Sequence, residues 1–248
     1  MKTPEPFPLV TCIVPTSKKR QLFWPMLFRC FQRQTWPNKR LVLVSENPIE
    51  CELPPKTKII TAPLGLSIGS KLNLGVENSD GNYFWKCDDD DLYHRDFLST
   101  AIPPLLLKTP AISMANRYLI LFLENWELYY LPKAGCAGGT ICFDRQAWNS
   151  RHFENLSYSE DWNFIAGRNH LTIANPSQLL VTYMIVRHGG NSWSNWEFTE
   201  KSVDKELVKC GRKLSTGPEG FLSHEELEFY KKLRSSLFKS SPDKTRQS

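Results

Sequence analysis

Residues 67–97 read SIGSKLNLGVENSDGNYFWKCDDDDLYHRDF. The spacing predicts a helix over about Ile68–Asn78, a turn at Ser79-Asp80-Gly81, and a strand over Tyr83–Cys87 that delivers four consecutive aspartates, Asp88–Asp91. Adjacent carboxylates repel one another and each resists desolvation, so such a cluster must either face water or hold a cation.

Working outward, Leu9–Pro15 reads as a buried strand. It is followed by a helical stretch over about Lys18–Gln34, in which Leu22, Met26, Cys30 and Phe31 share one side and Pro25 kinks or delays the helix. Arg40–Val44 and Thr57–Thr61 are further short strands. Strands alternating with helices predict an α/β fold with a mainly parallel sheet covered by helices, whose ligands collect beyond the carboxyl ends of the strands. The polar clusters Thr16-Ser17, Ser45-Glu46-Asn47 and Asp88–Asp91 each follow a predicted strand, which points to a nucleotide site. Neither the GxGxxG turn of dinucleotide folds nor the GxxxxGK[ST] phosphate loop is present.

In the second half, strands are expected around Tyr118–Leu123, Glu127–Leu131, Thr140–Phe143 and Leu179–Ile185, with helices near Arg145–Ser150 and Glu160–Arg168. No internal repeat or low-complexity linker precedes the tail, so both halves are expected to share one sheet. Near the end, HEELEFYKKLRSSLF places Leu227, Tyr230, Leu233 and Leu237 on one helical stripe, suited to core packing, peripheral membrane docking or dimerisation.

Bulk properties narrow the class. A chain of 248 residues with 41% hydrophobic composition has ample material for a core. Its apolar runs fall short of the roughly 20 residues that span a bilayer, so no transmembrane segment is expected. The N-terminus lacks a convincing signal-peptide cleavage site. Seven cysteines without a CxxC fit free thiols in a reducing cytoplasm. The net charge of +5 comes largely from KKR at 18–20 and the closing KSSPDKTRQS, and RNA-binding and zinc-finger motifs are absent, so nucleic acid is not an expected partner.

If the aspartates run extended, Asp88 and Asp90 point together, Asp89 faces away and Asp91 caps the following helix. A hard divalent ion such as Mg²⁺ or Mn²⁺ would explain the crowding; the plain alternative is a solvated loop with one cap. SEDW at 159–162 puts Glu160 and Asp161 at a helix start with Ser159 or Ser157 as cap, suiting either a general base or simple capping acids. Among the aromatic residues Trp126, Tyr129, Tyr130, Trp162, Trp193 and Trp196, the last two lie in a Gly-, Ser- and Asn-rich loop suited to stacking on sugar rings. Gly138-Gly139 allows close backbone approach or a tight turn.

Taken together, PLVTCIVPTSKKR (8–20), RQTWPNKRLVLVSEN (33–47), the 67–98 segment with its Asp-x-Asp, SEDWNF (159–164) and RHGGNSW (187–193) resemble, in order and spacing, the family 2 glycosyltransferases of GT-A fold. The resemblance implies a Rossmann-like, mainly parallel mixed sheet flanked by helices in a single domain with C-terminal helices. Residues 1–195 would be catalytic, with a nucleotide half at about 8–95 and an acceptor half at about 96–195, and 196–248 would be a helical extension with a basic tail. It implies inverting transfer from a nucleoside-diphosphate sugar, UDP-linked, to a glycan, lipid-linked or protein acceptor, dependent on Mn²⁺ or Mg²⁺. Pro15, Thr16, Glu46, Lys71, Asp88 and Asp89 would meet the nucleotide, and Asp90 and His188 the metal. Asp161, or Glu160 beside it, would be the base, with Trp162, Trp193 and Gly138 at the acceptor. Ser45-Glu46-Asn47-Pro48 stands where the family usually has Asp-Asp-Gly-Ser, and the Gln-x-x-Arg-Trp motif of processive synthases is missing. A metal-dependent nucleotidyl or phosphoryl transferase and a non-catalytic carbohydrate-binding module are the alternatives.

Overall fold

A computed structural model describes residues 7–132, 137–173, 182–189, 191 and 211–238. Along the chain run β1 (Val10–Thr16), a 3₁₀ segment Lys18–Phe23, α1 (Trp24–Arg33), β2 (Lys39–Ser45), β3 (Thr57–Thr61), α2 (Ile68–Glu77), β4 (Tyr83–Lys86), β5 (Leu92–Tyr93), α3 (Phe97–Ala101) and α4 (Pro103–Leu106). They continue with β6 (Ile112–Met114), β7 (Tyr118–Phe122), β8 (Glu127–Leu131), a 3₁₀ turn Gly138–Thr140, β9 (Cys142–Asp144), α5 (Arg145–Ser150), α6 (Glu160–Ile165), β10 (Leu171–Thr172), β11 (Tyr183–Arg187), β12 (Arg212–Lys213) and α7 (His224–Leu237). The chain forms two compact units, Met1–Tyr118 with Pro132–Ile185 and Leu119–Leu131 with Val186–Ser248.

The first unit is built on a seven-stranded sheet of order β10-β6-β9-β4-β1-β2-β3. β1 lies between β2 and β4 and is parallel to both, and β3 is parallel to β2. β9 enters antiparallel between β4 and β6, and β10 runs parallel to β6. β6, β9 and β10 of the second half join this sheet, whereas β7, β8 and β11 do not, so the expectation of one shared sheet holds only in part. Leu41, Val42, Leu43 and Val44 are fully buried, the continuous apolar run that a strand covered on both faces requires. β3 at the edge is only half buried.

Local chemistry explains the helix boundaries. Pro25 delays α1: the chain first makes the 3₁₀ segment and becomes α-helical at Trp24, so that proline occupies the first turn, where its missing N–H costs no hydrogen bond. α2 is capped by Ser67, whose hydroxyl accepts from the Ser70 N–H. It then crosses β1 closely enough that a methyl on Gly75 would lie 2.5 Å from Ile13 Cγ2. Ile13, Val42, Val44, Leu72, Val76 and Phe84 form the core here, joined by Phe143, Phe153 and Phe164, whose rings pack on one another.

Some expectations are corrected. The strand expected over Thr140–Phe143 is Cys142–Asp144, because Thr140 closes a 3₁₀ turn that begins at the Gly138-Gly139 pair. After Asp91 comes the short strand β5, not a helix; its Tyr93 lies opposite Tyr183 of β11. The expected start of β11 at Leu179 falls outside the described residues, and the strand is described from Tyr183.

In the second unit β12 pairs antiparallel with β8. α7 opens with a full capping box, in which Ser223 and Glu226 satisfy each other's backbone N–H groups. The Arg234 guanidinium donates to the Glu124 carbonyl and lies over the Trp126 ring, so part of the amphipathic stripe's helix is held against the β7–β8 turn. Tyr230 and Leu233 are buried, while Leu237 is exposed. Among the described residues Cys12, Cys30, Cys51, Cys87 and Cys142 are free thiols, and no helix is long and apolar enough to cross a membrane.

Candidate functional site

The carboxyl ends of β1, β2 and β4 bring the polar clusters of the first unit together. Thr16 closes β1, and its hydroxyl receives the Trp24 indole N–H (2.9 Å) and donates to Asp89 Oδ2 (2.6 Å). Beyond β2, Glu46 Oε1 pairs with Lys71 Nζ at 2.9 Å, and the same ammonium donates to the Thr16 carbonyl at 3.4 Å. Lys71 is thus buried against the strand ends rather than solvated on a helix face. Pro15 sits half-buried beside Thr16.

The aspartates are packed against cations supplied by the protein. Arg20 contacts Asp89 Oδ1 through Nε (2.6 Å) and Asp90 Oδ2 through Nη2 (2.5 Å). Lys86, 3% exposed, reaches Asp88 Oδ1 at 2.9 Å. The Tyr183 hydroxyl donates to Asp91 Oδ2. This corrects two readings of the cluster: Asp89 does not face away from Asp90, because both turn to Arg20, and Asp91 does not cap a helix. Alternation along a strand fails because β4 ends at Lys86 and the aspartates lie in a turn.

Facing the cluster is α6, which begins with Glu160 and Asp161. Its N-cap Ser159 makes no side-chain cap bond and has φ 61°, a left-handed conformation uncommon outside glycine. Ser157 instead accepts from the Ile68 N–H, so neither expected serine caps α6. Glu160 is buried with Oε1 3.8 Å from Lys86 Nζ. Asp161 is half-buried and accepts from the Trp162 N–H at 2.7 Å. Trp162 itself is 57% exposed.

The Gly138-Gly139 turn is where the Asp88 and Asp161 carboxylates converge. A methyl on Gly138 would lie 1.8 Å from Asp161 Oδ2, and one on Gly139 would lie within 2.6–2.8 Å of the Tyr93 hydroxyl, Asp88 Oδ2 and the Tyr183 hydroxyl. The Tyr93 hydroxyl accepts from the Asp88 N–H and donates to the Gly139 carbonyl, which also receives the Trp85 indole N–H. Only glycines leave room for this convergence.

The electrostatics reflect crowding. Burial pushes the Asp89 carboxyl up to about 7 against the opposing pull of Arg20, with Asp90 adding to the rise. Burial also takes Glu160 up to about 7, against Lys86 and with Asp161. Asp88 is raised by burial despite Lys86. Burial depresses the Lys86 ammonium, but Asp88, Glu160 and Asp161 together outweigh it and hold it well above the ordinary lysine range. Burial keeps the Tyr93 and Tyr183 hydroxyls protonated as donors.

Asp88, Asp89, Asp90, Asp91, Glu160 and Asp161 lie near Arg20 and Lys86, and burial first, with neighbouring carboxylates adding to it, raises Asp88, Asp89 and Glu160. Among the described residues no group of three His, Cys, Asp or Glu side chains converges as a ready-made metal cage. Carboxylate oxygens are nonetheless the donor type that a hard divalent ion takes, since Mg²⁺ uses one or two carboxylates and completes its shell with substrate phosphates and water. His188 belongs to the second unit, buried, with its N–H donating to Asn191 Oδ1 at 2.9 Å. Trp193 and Trp196 lie outside the described residues. Arg20, Lys86, Tyr93 and Tyr183 were not anticipated as site residues. For Lys86 a signal existed, a lone lysine inside an apolar strand two positions before the aspartates.

The fold of the first unit is a mixed, mostly parallel sheet flanked by helices, with the acidic turn at its carboxyl edge. Solved structures of S. aureus TarS, a glycosyltransferase, share it. TarS 1-349 matches with a TM-score of 0.51 at 13% identity, covering 71% of this chain and 60% of that one. TarS 1-349 in complex with UDP-GlcNAc matches with a TM-score of 0.55 at 14% identity, covering 94% and 73%. At such identity the likeness is one of fold. No protein-family model and no curated protein sequence matches the chain.

Proposed function

We propose that this protein transfers a sugar from a UDP-linked donor to an acceptor hydroxyl with inversion, as a family 2-like glycosyltransferase. The observation that carries the reading is the convergence of Asp88 and Asp161 on successive glycines, 139 and 138, at the carboxyl edge of the sheet. One carboxylate comes from the nucleotide side and the other from a separate helix, as a single displacement needs. The likeness of fold to the TarS structure in complex with UDP-GlcNAc supports the donor class.

In this reading Thr16, Glu46, Lys71, Asp88 and Asp89 bind and orient the nucleotide. Asp161 takes the proton of the acceptor hydroxyl while its oxygen attacks the anomeric carbon and the bond to the diphosphate breaks, the electron pair leaving with UDP. Asp90, together with the donor's phosphates, would hold Mn²⁺ or Mg²⁺, which when bound would supply neutralisation of charge on the departing diphosphate. Gly138 and exposed Trp162 border the acceptor side.

The test is a panel of nucleotide sugars, each with Mn²⁺, Mg²⁺ or chelator, monitored for free nucleoside diphosphate. Release of UDP that depends on Asp161 is the expected result. Pyrophosphate release from nucleoside triphosphates would establish a nucleotidyl transferase instead, and tight donor binding without turnover across an acceptor panel would establish a binding module.

A further inference from the structure

Lys86 closes β4 at a position where a lysine is costly. A lysine ammonium taken from water into a sheet core loses several kcal/mol of hydration unless carboxylates replace it. Here they do, from two different elements: Asp88 from the turn after β4, at 2.9 Å, and Glu160 from the first turn of α6, at 3.8 Å. Asp161 also acts on this ammonium electrostatically. The groups facing Glu160 are Lys86, Asp161 and Asp88, and those facing Asp88 include Lys86, Asp90 and Asp161. Lys86 is therefore the cation in this constellation that bears on both sides, whereas Arg20 serves Asp89 and Asp90.

We infer that Lys86 is a positioning residue for transfer: its buried ammonium ties Asp88 on the donor side to Glu160 on α6 and so holds the start of α6, and with it Asp161, where the acceptor proton is taken. The inference rests on the transferase reading above. The backbone reinforces it. The Lys86 N–H donates to the Ile141 carbonyl at 2.9 Å, fixing β4 to the end of the same 3₁₀ turn on which Asp88 and Asp161 converge. A neutral side chain of equal length would leave two buried carboxylates and a neighbouring aspartate facing one another across that turn. Their cheapest relief is to bind a proton.

Two readouts separate this inference from the transferase reading. The first needs no substrate: the ionisation of Glu160 followed by carboxyl-carbon NMR, assigned with Glu160→Gln, in the wild type, Lys86→Met and Lys86→Arg. The second is the pH profile of kcat/KM for donor turnover. Lys86→Met is expected to move Glu160's titration up by about one unit or more, to move the acid limb of kcat/KM with it, and to cut turnover at pH 6.5 roughly tenfold. Lys86→Arg is expected to hold both close to wild type. A folded Lys86→Met whose Glu160 titrates as in the wild type overturns the inference, as does an equal shift in Lys86→Arg. If Lys86→Met does not fold, Lys86→Met/Glu160→Gln takes its place: recovered folding supports the inference, and continued failure to fold overturns it. If no nucleotide sugar is turned over, the transferase reading falls while the NMR arm still decides the electrostatic role.

Discussion

Asp161 and Glu160 are neighbours in sequence but occupy different surroundings. Glu160 is buried against Lys86, whereas Asp161 is half-buried with an oxygen above the Gly138 backbone. That difference suits Asp161 to meet an acceptor and Glu160 to support it. Asp161→Asn is expected to cut transfer by roughly 10²-fold or more while leaving UDP affinity nearly intact. Paired calorimetry and turnover assays check this, with Glu160→Gln run alongside; near-wild-type transfer by folded Asp161→Asn would remove it as the base. At Asp91 the structure replaces a helix cap by a tyrosine hydroxyl. A hydrogen bond to a buried charge contributes about 1.5–3 kcal/mol. Tyr183→Phe should therefore lower stability to urea by about 2 kcal/mol, with no change on substituting the exposed Asp80, whose partner Arg40 is also exposed.

At the scale of elements, the 3₁₀ turn Gly138–Thr140 sets the spacing between the acidic turn after β4 and the start of α6. Gly138 and Gly139 make separable predictions because their absent methyl groups would strike different partners. Gly138→Ala presses on Asp161 alone and should depress turnover while sparing UDP affinity. Gly139→Ala presses on Tyr93, Tyr183 and Asp88 together, and should weaken UDP binding as well as destabilise the fold by about 1–3 kcal/mol through overpacking. Equal loss of UDP affinity in both variants would show that the turn does not divide donor from acceptor. Ser159, held at φ 61° just before Glu160, is a second place where local backbone geometry serves the site.

For the whole molecule, the surplus of buried carboxylates links stability to pH. Glu160 titrates at about 7 when folded because burial outweighs the pull of Lys86, against about 4.3 when unfolded. A carboxyl raised by folding contributes stability that is fully present below its unfolded value and is lost as pH rises through its folded value. Between pH 6 and 8 the folded Glu160 gives up a proton that the unfolded chain has already lost, so this group should lower stability by about 1 kcal/mol across that window. Urea unfolding at the two pH values measures it, and Glu160→Gln should remove that share. A wild-type difference unchanged in Glu160→Gln would place the surplus elsewhere.

How much was legible follows from the range over which each signal acts. Periodicity and turn chemistry are local, so the amino-acid sequence alone determined β1 to β4, the delay of α1 at Pro25, α2, α5 and the acidic turn; the order of polar clusters after strands pointed to the candidate site. The sequence could also show that the aspartates needed either water or cations. It could not show which, because Arg20 and Lys86 earn their roles through distance: Arg20 lies 69 residues from Asp89 in the chain, and Glu160 reaches Lys86 from another helix. Strand alternation misassigned Asp89 and Asp91 because it assumes an extended backbone, and the pull of Arg20 and Tyr183 operates only once β1, β4 and β11 are assembled. The tertiary structure alone decided that like charges could be buried together, since the desolvation each carboxylate suffers is offset by groups that only folding brings within hydrogen-bonding reach.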